Sequence, residues 1–167
     1  MGRTSTPGNV AGDKPAMAAG GRSELRLNSF LPYVLNNLAE RVSAGLSRIY
    51  TDEYQLSIPE WRVLANLAEH GILNARQIVE FTTMEKSKVS RAVANLSARG
   101  MVSQQRAEGD SRAKDLALTR AGKALYASIV PRVLAWERDL LDGLSPGEYR
   151  DLMYVLEKLG TRLRSMR

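Results

Sequence analysis

The apolar pattern between Ser57 and Leu118 changes its period once, and that change limits the fold more than any other feature of the chain. Up to Gly100 the apolar residues recur in steps of three and four, the spacing of one helix face. Ser57-Ile58-Pro59-Glu60 opens the first run as a capping box. The serine oxygen can accept from the amide three residues on, and the glutamate can reach back to the serine. Trp61, Leu64 and Ala68 form the inner face of this helix, and Gly71 marks its end. Asn74 can cap a short second helix in which Ile78, Val79 and Phe81 are expected to pack. A third helix runs from about Glu85 to Arg99, buries Val89, Ala92, Val93 and Leu96, and stops at Gly100. Met101–Arg106 then reads as a strand, Ala107–Arg112 as a polar turn, and Lys114–Leu118 as the returning strand of a hairpin.

Long helical stripes flank this segment. One helix is expected from about Phe30 to Tyr54, striped by Leu31, Val34, Leu35, Leu38, Val42, Leu46 and Ile49. Thr119 can cap another that reaches about Leu141, with Leu125, Ile129, Val133, Trp136 and Leu140 on one side. Pro131 inside it removes a backbone bond and is expected to kink it. Ser145-Pro146-Gly147-Glu148 is a second capping box, and Tyr149, Leu152, Met153, Leu156, Leu159 and Leu163 continue the stripe behind it. Together these helices carry more apolar surface than one lobe can cover, which predicts a homodimer. The expected organisation is a disordered tail over 1–24, rich in Gly, Ala and Pro, a dimerisation helix over 25–56, a compact lobe over 57–119, and two further dimerisation helices over 120–167.

Several function classes are excluded by residue type. The chain of 167 residues has no cysteine and one histidine, His70. Disulfides, thiol redox chemistry and cysteine zinc sites are therefore absent, and no carboxylate cluster suggests another metal. No convergent acid, base and nucleophile set stands out, so the chain is not expected to be an enzyme or to need a cofactor. His70, near a helix end, reads as a partner of the helix dipole. No apolar run approaches the ~20 residues that cross a bilayer, and no apolar signal core opens the chain. A cytoplasmic protein without a membrane partner is expected.

Three helices followed by a hairpin is the order of a winged helix-turn-helix, so the expected fold is mainly α with a small two-stranded β wing. The short helix, the Thr82-Thr83 connection and the helix after it form the helix-turn-helix. With Val89, Val93 and Leu96 inward, Ser87, Ser90, Arg91, Ala94 and Ala98 turn outward, flanked by Lys86 and Lys88. Such a small, hydroxylic, basic face can enter a major groove and supply donors to phosphates and base edges. An ordinary solvated face is the alternative. Charge sharpens the choice. From Glu85 to Arg120 there are eight basic and four acidic residues, a net of +4 out of the formal +6 of the whole chain. Positive charge concentrated on one module is the footprint of a nucleic-acid binder.

The same region resembles the MarR (multiple antibiotic resistance regulator) family. The resemblance spans about residues 30–164. It rests on Val89-Ser90-Arg91, Leu96 and Gly100-Met101-Val102, on Asp110-x-Arg112 followed by Leu116-x-Leu118-Thr119-x-x-Gly122, and on Leu144-Ser145-Pro146-Gly147-Glu148. It implies a homodimer with an interlocked helical dimerisation region and a winged lobe on each side, bound to a pseudopalindromic double-stranded DNA operator. It implies Arg112 at the wing tip in the minor groove, braced by Asp110. It also implies repression released by a small ligand where the dimerisation helices meet the lobe. The expected DNA-binding residues are Lys86, Ser87, Lys88, Ser90, Arg91, Asp110, Arg112 and Lys114.

Candidate ligand residues at that junction are Arg41, Arg48, Tyr50, Tyr54, Trp61 and Arg62. Arginines beside aromatics suit an organic anion such as an aromatic carboxylate or an acyl thioester. The competing reading of the aromatics is plain core packing. The rival for the chain as a whole is a protein-interaction module of the same fold without DNA binding. Acidic residues in place of Lys88 and Arg91 would favour it, and this sequence carries the bases.

Overall fold

A computed structural model describes the backbone of residues 25–107 and 110–166, and the side chains among them other than those of 106–113. The expected tail over 1–24 lies outside the described residues. The chain divides into two compact units, at Ala39 and Glu40. Among the described residues the first contains a 3-10 turn, Leu27–Ser29, and the opening turns of α1 (Leu31–Thr51). The second contains the rest of α1, then α2 (Ile58–His70), β1 (Leu73–Asn74), α3 (Ala75–Thr82), α4 (Lys86–Ala98), β2 (Val102–Ala107), β3 (Asp110–Leu118), α5 (Arg120–Leu141) and α6 (Pro146–Ser165).

The starts of these helices follow from the sequence. Both capping boxes form: the Ser57 and Ser145 side chains accept from the amides of Glu60 and Glu148, whose carboxylates accept from the two serine amides at 2.7 and 2.8 Å. Asn74 caps α3 in the same reciprocal way with Gln77. The strands differ from expectation. The sheet has three antiparallel strands in the order β1-β3-β2, because buried Leu73 pairs with Leu116. A two-residue strand is too short to show an alternation, so nothing in the sequence announced it. The hairpin strands also run further than expected, with Ala107 on β2 opposite Asp110, so Asp110 and Arg112 fall on β3. The expected end of α1 at Tyr54 moves back to Thr51, because Gln55 adopts a left-handed φ of 52°.

The core of the lobe forms around α2. Val63, Leu64 and Leu67 are buried against Leu73, Ile78, Val89, Leu96 and Leu116. Trp61 is stacked between Tyr50 of α1, at 5.2 Å, and Tyr126 of α5, at 5.7 Å. Each such ring pair stabilises by about 0.5–1.5 kcal/mol beyond its area burial. Phe81, expected to pack, is 54% exposed and instead stacks on the His70 ring at 4.6 Å. Pro131 lies within α5 as expected.

Two joints lock the lobe. In the first, Thr119 caps α5 by accepting from the Gly122 amide at 3.1 Å, while its hydroxyl reaches the Gly100 carbonyl at 2.7 Å. Gly122 thereby lies so close to the start of β2 that a Cβ there would stand 2.1 Å from the Met101 carbonyl oxygen. In the second, Arg99 just past α4 donates to the carbonyls of Tyr54 and Gln55 at 2.9 and 3.1 Å. Beside it Glu60, only 6% exposed, accepts from Ser57 and is hydrogen-bonded by Asn95 of α4. Burial opposes the charge of Glu60. The hydrogen bonds of Ser57 and Asn95 and the nearby Arg99 outweigh it and hold the carboxyl below its ordinary value of 4.5.

Each joint yields a test. Gly122→Ala forces backbone apart at a buried contact and should cost about 1–3 kcal/mol, a fall of several degrees in thermal midpoint. An unchanged melt would mean α5 does not dock this closely. Glu60→Gln removes a buried carboxylate whose pKa is depressed by folding. The stability it contributes is present above the ordinary value and is lost as pH falls through the folded value. The variant should melt below the parent at pH 7 by about 1–3 kcal/mol, and the gap should narrow as pH falls below the ordinary carboxylate range, as melts of both proteins across an acid pH series would show.

Candidate nucleic-acid interface

The α3–α4 connection fixes how α4 leaves the lobe. Thr82 is buried, its hydroxyl donating to the Ile78 carbonyl at 2.6 Å and accepting from the Met84 amide at 3.4 Å. Thr83 turns the chain with a left-handed φ of 54°, and Met84 drops into the core. Glu85 then stands at the N-cap without a side-chain hydrogen bond. The first turn of α4 is therefore pinned from within, and its outer end carries no side-chain cap.

Along α4, Val89, Ala92, Val93 and Leu96 are buried. Lys86, Ser87, Lys88, Ser90, Arg91 and Ala94 are exposed on the other side, as the 100° step predicts. Arg91 donates through Nε to the Ser87 carbonyl at 3.3 Å, which steadies its stem and leaves its terminal nitrogens free to reach outward. Neither Arg91 nor the two lysines enters an ion pair among the described residues. Lys88, Arg91, Ala92 and Asn95 line one wall of a shallow recess of about 270 Å³, and Ser57 and Pro59 at the start of α2 line the other. The sequence reading missed Ser57, Pro59 and Asn95 here. The capping role of Ser57 was visible, but its position across from α4 depends on tertiary packing.

Lys114 is exposed on β3 of the wing, at the position that pairs with Arg106. It donates to Gln104 at 3.3 Å, and Gln104 donates to Ser97 of α4 at 2.9 Å, so β3, β2 and α4 are linked by one polar chain. Asp110 and Arg112 belong to β3, and their side chains lie outside the described residues.

The candidate ligand residues separate. Tyr50 and Trp61 are buried in the aromatic stack, so neither offers a free ring face to a ligand at the junction. Burial pushes the Tyr50 phenol up, and the charge of Arg62 partly offsets this. Tyr54 is half-buried, with its hydroxyl at 3.5 Å from the Ser128 carbonyl of α5. Arg41, Arg48 and Arg62 are exposed. Among the described residues no group of His, Cys, Asp and Glu is placed to hold a metal, and no helix is long and apolar enough to cross a membrane.

Comparison with known proteins agrees with this geometry. The MarR family model matches residues 54–113, which run from the α1–α2 corner into the wing. A MarR family transcriptional regulator from Silicibacter pomeroyi DSS is 31% identical, with a TM-score of 0.72 over 91% of this chain and 98% of that one. The HTH-type transcriptional regulator PecS of Dickeya dadantii is 26% identical over 132 residues, covering 77% of this chain and 79% of PecS. At 22% identity, BpsR of Bordetella bronchiseptica, whose DNA binding is regulated by 6-hydroxynicotinic acid, shares the fold with a TM-score of 0.73 over 83% of this chain and 98% of its own. With an exposed basic α4 on a winged lobe and these relatives along most of its length, the chain belongs to the MarR family of winged-helix DNA-binding transcription regulators.

Proposed function

We propose that the chain acts as a homodimeric, cytoplasmic repressor that binds a pseudopalindromic operator and is released by a small organic ligand. One observation carries the DNA-binding half of this reading: five donors, Lys86, Ser87, Lys88, Ser90 and Arg91, share the exposed side of one internally pinned helix. In the major groove Arg91 and Ser90 would reach base edges, and Lys86, Ser87 and Lys88 would hold phosphates. The recess between α4 and the start of α2 is lined by Lys88 and Arg91, two cations on its α4 wall. Lys114 would reach the backbone beside the wing. Arg112, supported by Asp110, would enter the minor groove.

Dimerisation is supported by apolar side chains that a monomer leaves in water. Leu31, Val34 and Leu38 on α1, Leu134 and Leu140 on α5, and Leu152, Val155, Leu156 and Leu163 on α6 are all exposed. We assign 25–56 and 120–167 to the dimer interface and 57–119 to DNA. For the ligand, the effector of BpsR sets the precedent of an aromatic acid. An organic anion, aromatic carboxylate or acyl thioester, at the junction of α1, α2 and α5 would be met by Tyr54 and Arg62, with Arg41 and Arg48 further along α1. It must bind the DNA-incompetent state more tightly, or it shifts nothing.

Two variants test the DNA reading together. Arg91→Ala should disturb preference at the half-site centres. Arg112→Ala should weaken binding by about 1–3 kcal/mol, most for operators with A·T flanks. Half-sites should lie roughly 10 bp apart. Titrations against operators varied separately at centre and flank would show this. Equal losses on every sequence would remove the minor-groove assignment, and full binding by Arg91→Ala would remove α4 as the reading helix. Light scattering at low micromolar concentration should return a dimer, and a monomer there would refute the interface.

A further inference from the structure

The far end of α4 is held by a contact that its groove-facing side does not need. Arg99, just past the helix, donates through Nη2 to the Tyr54 carbonyl at 2.9 Å and through Nη1 to the Gln55 carbonyl at 3.1 Å. These acceptors form the corner between α1 and α2, 45 and 44 positions away in the chain. A planar guanidinium meets two neighbouring carbonyls at once, and an ammonium cannot reproduce that fork. The corner is shaped to present them. Gln55 is exposed and adopts a left-handed φ of 52°, a conformation that disfavours a residue with a Cβ. Leu56 then closes the turn through its amide, which donates to the Tyr50 carbonyl at 3.0 Å. Such backbone strain persists only where the surroundings over-determine it, and Arg99 bridges the strained residue.

Arg99 is basic and exposed, but it is not placed as a DNA contact. Its terminal nitrogens are engaged by the corner, and it stands eight residues beyond Arg91, roughly 12 Å further along the axis. What it governs is angle. The start of α4 is pinned by Thr82 and Met84 and serves as a pivot. About that pivot, a tilt of about 10° carries Arg91, roughly 9 Å from Glu85 along the axis, through about 1.5 Å. A hydrogen bond to a base edge does not survive such a shift. The buried stripe of Val89, Val93 and Leu96 opposes separation, but apolar contact is non-directional and sets no tilt. Directional bonds set it. On the wing side Gln104 donates to Ser97 at 2.9 Å, and on the corner side Asn95 meets buried Glu60 while Arg99 spans the two carbonyls.

We propose that Arg99 is a positioning residue for operator recognition: by bridging the Tyr54 and Gln55 carbonyls it fixes the tilt of α4, and so sets how sharply the protein tells its operator from other DNA without touching the duplex. The proposal rests on α4 being the helix that enters the groove. It divides the binding energy in a definite way. Lysines on flexible stems reach phosphates across a shift of an ångström or two, and their charge acts over about 8 Å in physiological salt. Base-edge contacts have no such reach. Loss of the Arg99 bridge therefore falls on sequence discrimination and spares binding to DNA of any sequence.

Arg99→Lys keeps the charge and removes the fork, so it is the variant to measure. The full chain is titrated against two labelled duplexes of equal length, one selected by the parent from a random pool and one with the same bases scrambled. Arg99→Lys should lose about tenfold on the selected duplex and stay within about twofold of the parent on the scrambled one. A second substitution separates position from stability. Gln55→Gly relieves the left-handed strain and should raise the melting midpoint of Arg99→Lys by a few degrees, while discrimination stays low when compared with Gln55→Gly alone. Should Arg99→Lys melt too low to assay, the Gln55→Gly background supplies folded protein for the same comparison. Discrimination that returns with the melting midpoint would make Arg99 a structural residue only and overturn the proposal. Parental discrimination in Arg99→Lys, or equal losses on both duplexes, would overturn it as well. A parent that selects no duplex would overturn the reading of α4 and this proposal together, whereas a selective parent matched by Arg99→Lys removes the proposal alone.

Discussion

The role proposed for α4 requires that it leave the lobe at one angle, and that angle is fixed at both of its ends. At the start, Thr82 ties the α3–α4 turn to Ile78 and Met84, and Met84 anchors the turn in the core. At the end, Arg99 bridges two carbonyls of the α1–α2 corner while Asn95 meets buried Glu60. A helix pinned only by its apolar stripe could rock about that stripe. Directional bonds at either end remove this freedom, and pre-organised side chains then lose less entropy on binding. The corner is fastened on its other side as well, since Glu53 pairs with Arg132 and the Tyr54 hydroxyl faces Ser128, both on α5. Movement of α5 therefore has a covalent and hydrogen-bonded route to the end of α4 that does not cross the apolar core.

Much of this was legible in the sequence because it is local. Capping boxes at Ser57 and Ser145 involve groups three residues apart, and each formed as read. The outward face of α4 follows from a fixed step per residue and was read correctly. The pattern Thr119-x-x-Gly122 was noticed as a resemblance, and its physical reason emerged only with the fold: the threonine caps α5 and the glycine yields to the Met101 carbonyl. What stayed hidden depends on distant partners. Strand β1 exists because Leu73 finds Leu116 across 43 positions of the chain. Asn95 and Arg99 look like ordinary polar residues of a helix end until Glu60 and the Tyr54–Gln55 carbonyls are placed beside them. Tyr50 and Trp61 stand as ligand candidates in the sequence against the stronger reading of core packing, and both are buried.

The apolar stripes of α1, α5 and α6 show a second limit. Periodicity identifies a face that must be covered and is silent on what covers it. In α2 the stripe is buried within the lobe. In α6 no residue is buried at all. Leucines left in water forfeit about 25 cal/mol for each Å² of apolar area that could be covered. A helix of twenty residues with such a face is more stable against a partner surface than alone, and a second copy of the same chain supplies one with matching chemistry.

The lobe and the flanking helices are joined through the start of α5. β3 carries the wing strand to Leu118, Thr119 turns the chain and caps α5, and within seven residues Tyr126 is stacked on Trp61 of α2. This short passage has little slack. Its first turn is held by the Gly122 contact, and its second by the aromatic stack. A change in how α5 sits must therefore appear at β3 or at α2, because the packed interior between them does not compress. Shifts at β3 move the wing, and shifts at α2 move Glu60 and hence the end of α4. In the proposed dimer, an interface that repositions α5 would act on both proposed DNA-contacting elements at once, and would change the spacing of the two half-site contacts without unfolding either lobe.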